Sequence, residues 1–423
     1  MNKKLQITES RELTTKYDEL KRQAMFLRSS PEFYKTDWIA DMSTNLGVST
    51  NPAAFITLLK NPDTNSAFYI ARQADSTSTS VSSLSSWDVK FLFMIFLFIF
   101  SAITTFKLNV TTQDGPLQVP IAVPAITLSG RESKVVVTDY TFGSSSRLLF
   151  STAQIFYAST IDKRDILFLY GHISQDHEAA LVLTGIPNKI QDIQSSLVKF
   201  TTSNPSLASG TTIVSFLSGI DGLVTVWDSD TQLVLYADSE TAATFWSPVI
   251  AGSSNNPLAN YWGLGTNQSI LVGGPYLVRD ARLSNSTLAL RGDLKTDVRL
   301  TVIAPRNVRS ITWNGEPVSG DFSVASLSSI GGFVGQLQTR HSFSGVKVPK
   351  LTGWKFKDSL PEIQRSFNDD IWAVANHTTT NIPLKPYYGD GRILYGCDYG
   401  LYVLEILFLS IRYMITYHSI SQL

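Results

Sequence analysis

The sequence predicts a mainly β protein built from antiparallel β-sandwich domains in series. From about Thr50 onward, short runs of β-branched and aromatic residues alternate with Asn, Asp, Gly and Pro, which is typical of consecutive strands. Little helical periodicity separates these runs, so antiparallel sandwiches are favoured over a parallel α/β sheet. A chain of 423 residues with 43% hydrophobic and 17% charged residues buries two or three cores and is not disordered.

One helix precedes the strands. Apolar residues recur at spacings of three and four, which marks an amphipathic helix; they are Leu13, Tyr17, Leu20, Ala24 and Leu27. Pro31 cannot continue that helix, because its ring clashes with the preceding turn. It is the only persuasive helix in the first half of the chain.

Seven strands are predicted most clearly: Val135–Thr138, Ile166–Tyr170, Thr211–Phe216, Leu223–Trp227, Leu233–Ala237, Arg299–Ile303 and Ser310–Trp313. Two hairpins are nearly explicit. The run Asp228-Ser229-Asp230 joins two apolar stretches, and Asn314-Gly315 supplies the two positive φ angles of a type I′ turn. No repeat of fixed period is present.

Charge and cysteine content exclude several classes of protein. The chain carries 35 basic and 35 acidic residues, so no basic surface is expected for nucleic acid. Cys397 is the single cysteine, which rules out an internal disulfide and a cysteine-based zinc site. A small buried apolar group is the expected role of this thiol.

Two apolar segments account for a mean hydropathy of +0.04 in a chain rich in Ser and Thr. Phe91–Ile103 lacks any charge but is shorter than the roughly twenty residues that span a bilayer. The tail Leu401–Leu423 is interrupted by Glu405 and Arg412. Met1–Ser10 is polar and resembles no signal peptide, so the chain as written is expected in the cytoplasm.

Motifs of catalysis are missing from the sequence. It contains no phosphate-binding GxGxxG or GxxxxGK[ST] loop and no GxSxG elbow. His172 with His177-Glu178 is the nearest approach to a metal motif, but it lacks the H-E-x-x-H spacing that places two imidazoles on one helix face. We therefore predict no catalytic, cofactor-binding or metal-binding residues in this chain.

Surface residues offer two further hypotheses. Four N-glycosylation sequons, which together suggest a secretory origin, begin at Asn109, Asn267, Asn285 and Asn376. Trp246, Tyr261 and Trp262 are candidates for stacking on sugar rings, with core packing as the simpler alternative.

Several stretches resemble one family. In chain order they are RELTTKYDELKRQAMFLRSSPEFY (Arg11–Tyr34), KVVVTDYTFG (Lys134–Gly143), DILFLYG (Asp165–Gly171), HEAAL (His177–Leu181), GPYLVRDARL (Gly274–Leu283), ITWNGEPV (Ile311–Val318) and WKFKDSLPEIQRSFNDDIWAVAN (Trp354–Asn376). Each is similar to a segment of the large fungal β-galactosidases of glycoside hydrolase family 35, and they follow that family's order.

The resemblance implies a domain layout. Residues 1–45 would be the helical remnant of a (β/α)8 catalytic barrel. The second β-galactosidase domain would span residues 46–265, with an apolar insertion at 81–103, and the third domain would span residues 266–346. Residues 347–400 would begin a galactose-binding-like jelly roll, and residues 401–423 would form an unrelated apolar tail. The insertion and the tail are interpreted either as translated introns or as membrane segments.

The same resemblance implies a function for the parent protein. Members of the family are secreted, retaining enzymes that hydrolyse terminal β-D-galactosyl residues with two barrel glutamates. No glutamate here matches either role, because Glu178 and Glu362 belong to accessory-domain stretches. The chain alone is expected to be inactive, to contact a catalytic barrel, and to meet β-galactosides only through the parent enzyme. A free-standing carbohydrate-binding or adhesion module and a membrane-associated protein remain as alternatives.

Overall fold

A computed structural model describes a little over three fifths of the chain. The described residues are 7, 13–75, 103–187, 195–202, 207–250, 270–321 and 332–339, together with the backbone of 355–356 and 373–374. Elements are numbered along the chain. The helices of the described part are α1 Thr15–Ser29, α2 Pro31–Tyr34 and α3 Ser239–Ala243. No helix within these ranges has the length and apolarity that crossing a bilayer requires.

The largest sheet has eight strands in the order β1-β2-β3-β8-β9-β12-β14-β13, and every pairing in it is antiparallel. Its strands are β1 Asp37–Asp41, β2 Ala54–Lys60, β3 Ala67–Gln73, β8 Ser133–Phe142, β9 Ser146–Ser151, β12 His177–Val182, β13 Val198–Thr201 and β14 Thr211–Phe216.

A four-stranded sheet packs against one face of the large sheet, in the order β10-β11-β16-β15. Its strands are β10 Gln154–Ile161, β11 Arg164–Gly171, β15 Leu223–Asp228 and β16 Gln232–Asp238. Two strand pairs cover the other face of the large sheet. They are β4 Ile103–Phe106 with β7 Ile126–Ser129, and β5 Leu108–Thr112 with β6 Gly115–Val119.

A second sandwich follows along the chain. One of its sheets has the order β17-β20-β24-β23 and the other β18-β19-β21-β22. The strands are β17 Leu271–Gly273, β18 Leu277–Ser284, β19 Thr287–Asp293, β20 Val298–Ile303, β21 Ser310–Trp313, β22 Glu316–Pro317, β23 Gly320–Asp321 and β24 Gly332–Leu337. Residues from 341 onward form a separate unit, in which β25 Lys355–Phe356 pairs antiparallel with β26 Ala373–Val374.

Strand alternation sorts the side chains into separate cores. Phe68 and Tyr69 are neighbours on β3, yet Phe68 belongs to the core between the two sheets and Tyr69 to the core under the strand pairs. A third core lies on the outer face of the four-stranded sheet, where α1 contributes Met25 and α3 contributes Ala242. The first sandwich therefore has four layers, with helices on one outer side and the two strand pairs on the other.

The predicted fold class is confirmed, and all seven predicted strands lie within strands of the structure. Asp228–Asp230 connects β15 to β16 as an antiparallel hairpin. Asn314 and Gly315 have φ angles of 51° and 91° between β21 and β22, as a type I′ turn requires. Two pairings that the sequence did not predict are parallel, β11 with β16 and β19 with β21.

Helix α1 forms where it was predicted and ends at Ser29, but its apolar face does not face the core. Leu20 and Leu27 are 43% and 40% exposed, whereas Met25 is buried. The inner face is largely basic, because long Lys and Arg stems pack on the protein while their charged ends reach main-chain carbonyls.

Candidate functional site

Aromatic packing fixes the N-terminal helices to the first sandwich. The ring of Phe33 meets that of Phe68 edge-on at 5.1 Å between centroids, and Phe26 packs on Phe33 at 5.4 Å. Phe68 is fully buried in the main core. Aromatic pairs of this geometry add about 0.5–1.5 kcal/mol each beyond the burial of their surface. The orientation of α1 is therefore set by the β-domain itself.

Basic side chains of α1 complete this attachment through charge-assisted hydrogen bonds. Lys21 Nζ donates to the carbonyl oxygen of Ala243 at 2.5 Å. Arg22 and Arg28 donate to the carbonyl oxygens of Ser239 at 2.7 Å and Ser247 at 2.6 Å. Hydrogen bonds from a charged donor are roughly twice as strong as neutral ones. The polar face of the helix is thus turned inward, onto α3 and the segment that follows it.

Trp246 is part of the same attachment. The ammonium of Lys21 lies 3.3 Å from the centroid of its indole ring, and Trp246 Nε1 donates to the carbonyl oxygen of Pro275 at 3.0 Å. Burial lowers the pKa of Lys21 to about 7. The indole is half-buried. One ring face of this candidate sugar-stacking residue is therefore occupied by a cation of the same chain.

Large apolar side chains of the N-terminal segment are exposed among charged residues such as Lys16, Glu19 and Lys35. Leu20 and Leu27 lie two turns apart on the exposed face of α1. Tyr34, Trp38 and Ile39 follow with exposures of 61%, 55% and 48%. Trp38 and Ile39 belong to β1, which is an edge strand of the eight-stranded sheet. Clusters of exposed large apolar residues and uncovered strand edges mark sites of association.

Glu178 is a structural carboxylate. It is fully buried, and its oxygens accept hydrogen bonds from the main-chain N–H groups of Ile121, Ala122 and Val123 at 2.7, 2.6 and 2.8 Å. Burial raises its pKa, and these three donors partly offset the rise. The carboxylate holds the loop before β7 onto β12. It presents no surface to a substrate.

Asp165, on β11, is a second structural carboxylate. It is buried, and it accepts hydrogen bonds from the main-chain N–H groups of Ser144 at 2.7 Å, Ser145 at 3.2 Å and Ser146 at 3.1 Å. Gly143 opens this turn with a φ of 62°. The β8–β9 turn is therefore shaped by one carboxylate and one left-handed glycine.

The histidines of the weak metal motif are separated by burial. His172 is exposed and its Nδ1 bonds the hydroxyl of Ser174 at 2.9 Å, whereas His177 is 1% exposed. Burial lowers the pKa of His177 well below its usual value, and the ammonium of Lys134 adds to this effect. Among the described residues, no three His, Cys, Asp or Glu side chains gather as metal ligands would.

Two of the predicted glycosylation sites lie on the described surface. Asn109 is exposed on β5, where its Oδ1 accepts a hydrogen bond from Gln118 Nε2 at 2.9 Å. Asn285 is exposed at the tip of the β18–β19 hairpin, with a φ of 48°. The other surface candidates lie outside the described residues: Asn267, Asn376, Tyr261 and Trp262.

Comparison with known proteins identifies the two sandwiches. Residues 100–245 match the family model "Beta-galactosidase, domain 2", and residues 246–325 match "Beta-galactosidase, domain 3". The chain belongs to the β-galactosidase family. Its two matched parts are non-catalytic domains of that family, as the resemblance implied.

Three curated relatives extend this result. "Probable beta-galactosidase B" proteins of Emericella nidulans and Penicillium rubens are each 34% identical over 400 residues, covering 94% of this chain and 34% of the relative. The protein of that name from Sclerotinia sclerotiorum is 32% identical over 410 residues, covering 94% of this chain and 35% of its own. The chain therefore spans about a third of the length of the curated β-galactosidases that it matches.

Sequence reasoning missed the residues that orient α1. Lys21, Arg22 and Arg28 look like an ordinary solvent-facing charged side of a helix. Two aromatic residues could have served as a signal: Phe26 lies on the side of α1 away from Leu20 and Leu27, and Phe33 follows just beyond the helix. They indicate that the buried face of α1 is the face that carries its basic residues.

Proposed function

We propose that this chain supplies the accessory β-domains of a secreted, retaining β-galactosidase of glycoside hydrolase family 35. The parent enzyme would remove terminal non-reducing β-D-galactosyl residues from β-galactosides. Support comes from the two matched domains and from relatives named β-galactosidase that are about three times as long. In this proposal the paired catalytic glutamates belong to a barrel outside the chain.

One observation carries the proposal. Helix α1 is bound to the β-domain through its basic and aromatic side, and it turns Leu20 and Leu27 outward. Full burial of a leucine side chain is worth about 1.5–3 kcal/mol, so covering the exposed 43% of Leu20 and 40% of Leu27 would add about 1 kcal/mol each. We assign this outward face, with Tyr34, Trp38 and Ile39, to the contact with the catalytic barrel.

Hydrolysis by the purified chain tests the first part of the proposal. We expect no release of nitrophenol from nitrophenyl β-galactoside, because Glu178 is buried and bonded to main-chain N–H groups. The proposal is overturned if nitrophenol release co-purifies with the chain and persists in the variant Glu178→Gln. Such a result would place a catalytic pair within these domains.

Self-association tests the assigned contact face. An uncovered apolar face is expected to make the isolated chain associate, and the double variant Leu20→Asp, Leu27→Asp should reduce light scattering at equal concentration. Ile186→Asp is the matched control, since Ile186 is 85% exposed and lies outside the N-terminal segment. Equal relief by the control variant would show that the α1 face has no special role.

Secretion and glycosylation form the remaining part of the proposal. Asn109 and Asn285 are exposed and lie in sequons, so both are accessible to modification on a secreted chain. Expression behind a secretory leader should yield a glycoprotein whose mobility increases on treatment with an N-glycosidase. Substituting one of the two asparagines by Gln should remove one glycan and so reduce the mobility shift that the N-glycosidase causes. A variant whose mobility equals that of the unsubstituted glycoprotein would contradict glycosylation at that site.

A further inference from the structure

A cleft of about 960 Å³ opens where three parts of the chain meet. One wall comes from the start of α2, a second from the β8–β9 turn and the β10–β11 hairpin, and the third from the loop after β20. Its size lies within the range of about 300–1,000 Å³ that small-molecule sites occupy. Glu32, Ser159, Lys163 and Asn307 are among its lining residues.

Hydrogen bonds between the walls fix the shape of this cleft. Tyr140 donates its hydroxyl to Ser30 Oγ at 3.0 Å, which joins the first wall to the second. The main-chain N–H of Arg306 donates to Asp162 Oδ2 at 3.0 Å, which joins the second wall to the third. A site whose walls are already connected loses little conformational entropy on binding.

The cleft offers polar groups with unused bonding capacity. The hydrogen bonds that the described residues make to the Glu32 carboxylate all end on Oε2, with Asn61, Thr64 and Ser66 as donors. Glu32 Oε1 therefore has no donor among the described residues. The ammonium of Lys163 likewise has no acceptor within that part of the chain.

Apolar surface completes the lining. Pro31 and Pro305 lie on two of its walls. Asp162 accepts the main-chain N–H of Arg306 and lies 3.8 Å from its guanidinium, so the carboxylate of Glu32 and the ammonium of Lys163 are the remaining charges of the lining. The lining therefore favours neither a strong anion nor a strong cation. The cleft thus offers one carboxylate that accepts hydrogen bonds, one ammonium that donates them, and amide and hydroxyl groups. This set suits a ligand that carries many hydroxyls on a partly apolar ring.

We propose that this cleft binds a neutral oligosaccharide of two or three rings. Glu32 Oε1 would accept a sugar hydroxyl, and Lys163 with the amide of Asn307 would bond others. The site is built entirely by this chain. It does not depend on the catalytic barrel proposed above, and a failure of either proposal leaves the other standing.

Saturation-transfer NMR on the 423-residue chain, with lactose as the probe, tests the site. Wild-type protein should transfer magnetisation to the sugar protons, and Asn307→Trp should abolish the transfer by filling the cleft. Lys163→Ala should weaken binding about fivefold, the factor that loss of one hydrogen bond implies. Ala and Lys both carry a Cβ, so the left-handed turn at Lys163, with its φ of 65°, is equally strained in both proteins.

Lys199→Ala is the matched control, because Lys199 is exposed on the distant edge strand β13 and should leave binding unchanged. Thermal melting of each variant separates a binding loss from a folding loss. The proposal is overturned if lactose, cellobiose and raffinose all give no transfer at tens of millimolar. It is equally overturned if Asn307→Trp binds as wild type does, or if Trp246→Ala alone removes binding.

Discussion

Acidification should destabilise this chain through His177. The imidazole is 1% exposed, its Nε2 has no hydrogen-bond partner in the described part of the chain, and it faces the ammonium of Lys134. Its other neighbours are His172 and the ring of Tyr236, 6.4 Å away between centroids. Main-chain hydrogen bonds with Thr152 and His172 favour the charged form, but burial and the ammonium of Lys134 outweigh them, so the pKa of His177 stays well below its usual value.

The direction of the pH effect follows from the lowered pKa. Below the usual histidine pKa of about 6.5 the unfolded chain takes up a proton that the folded chain refuses, so stability falls as pH falls. Through His177 alone, the free energy of unfolding should fall by about 1 kcal/mol between pH 6.5 and pH 5.5. It should fall by about 1.4 kcal/mol for each further pH unit until the pKa of the folded state is reached.

Urea denaturation at pH 7.5, 6.5 and 5.5 measures this loss. The control is His177→Asn, which keeps a hydrogen-bonding nitrogen near the Nδ1 position but does not titrate. Glu178, whose pKa is raised by burial, acts in the opposite direction, since its contribution is lost as pH rises through the folded pKa. It titrates in both proteins, so it cancels from their difference. Equal pH dependence in wild type and His177→Asn would refute the reasoning.

Three further outcomes follow from the same contacts. Glu178→Ala should lower the free energy of unfolding by about 1–3 kcal/mol, because it deprives the buried N–H of Val123 of its acceptor; denaturant midpoints measure this. The ¹³Cε resonance of Lys21 should titrate near pH 7, and its disappearance in Lys21→Arg would confirm the assignment. Gly274→Ala should cost about 2 kcal/mol or more, since its new Cβ would lie well under 3.0 Å from a main-chain carbonyl at a φ of 108°. Gly47→Ala, with open space around it, should cost far less in thermal melts.

Local signals in the sequence predicted local structure well. The Asn314-Gly315 turn and the strand Thr211–Phe216 depend on residues that are adjacent in the chain, and both form as predicted. The parallel pairing of β11 with β16 joins residues more than sixty positions apart. No period or turn residue records such a partner, because strand order is decided by which faces pack together.

The face of α1 shows a different limit. Periodicity locates an apolar stripe, but it does not say whether the stripe packs on the same chain or on another part of a larger protein. Lys21 and Arg28 find carbonyl partners more than two hundred residues away, and these bonds decide which side of the helix faces inward. Leu20 and Leu27 therefore stay on the exposed side of the helix, where the proposed contact with a catalytic barrel would cover them.

The stretches that carry the family resemblance contain residues that hold the main chain in place. Asp165 in DILFLYG and Glu178 in HEAAL each accept three main-chain N–H groups, and Gly274 in GPYLVRDARL has no room for a side chain. Such residues specify a fold and say nothing directly about chemistry. For this chain, function is therefore to be sought in what the surface offers to partners, namely the outward face of α1 and the cleft beside Glu32, rather than in its buried carboxylates.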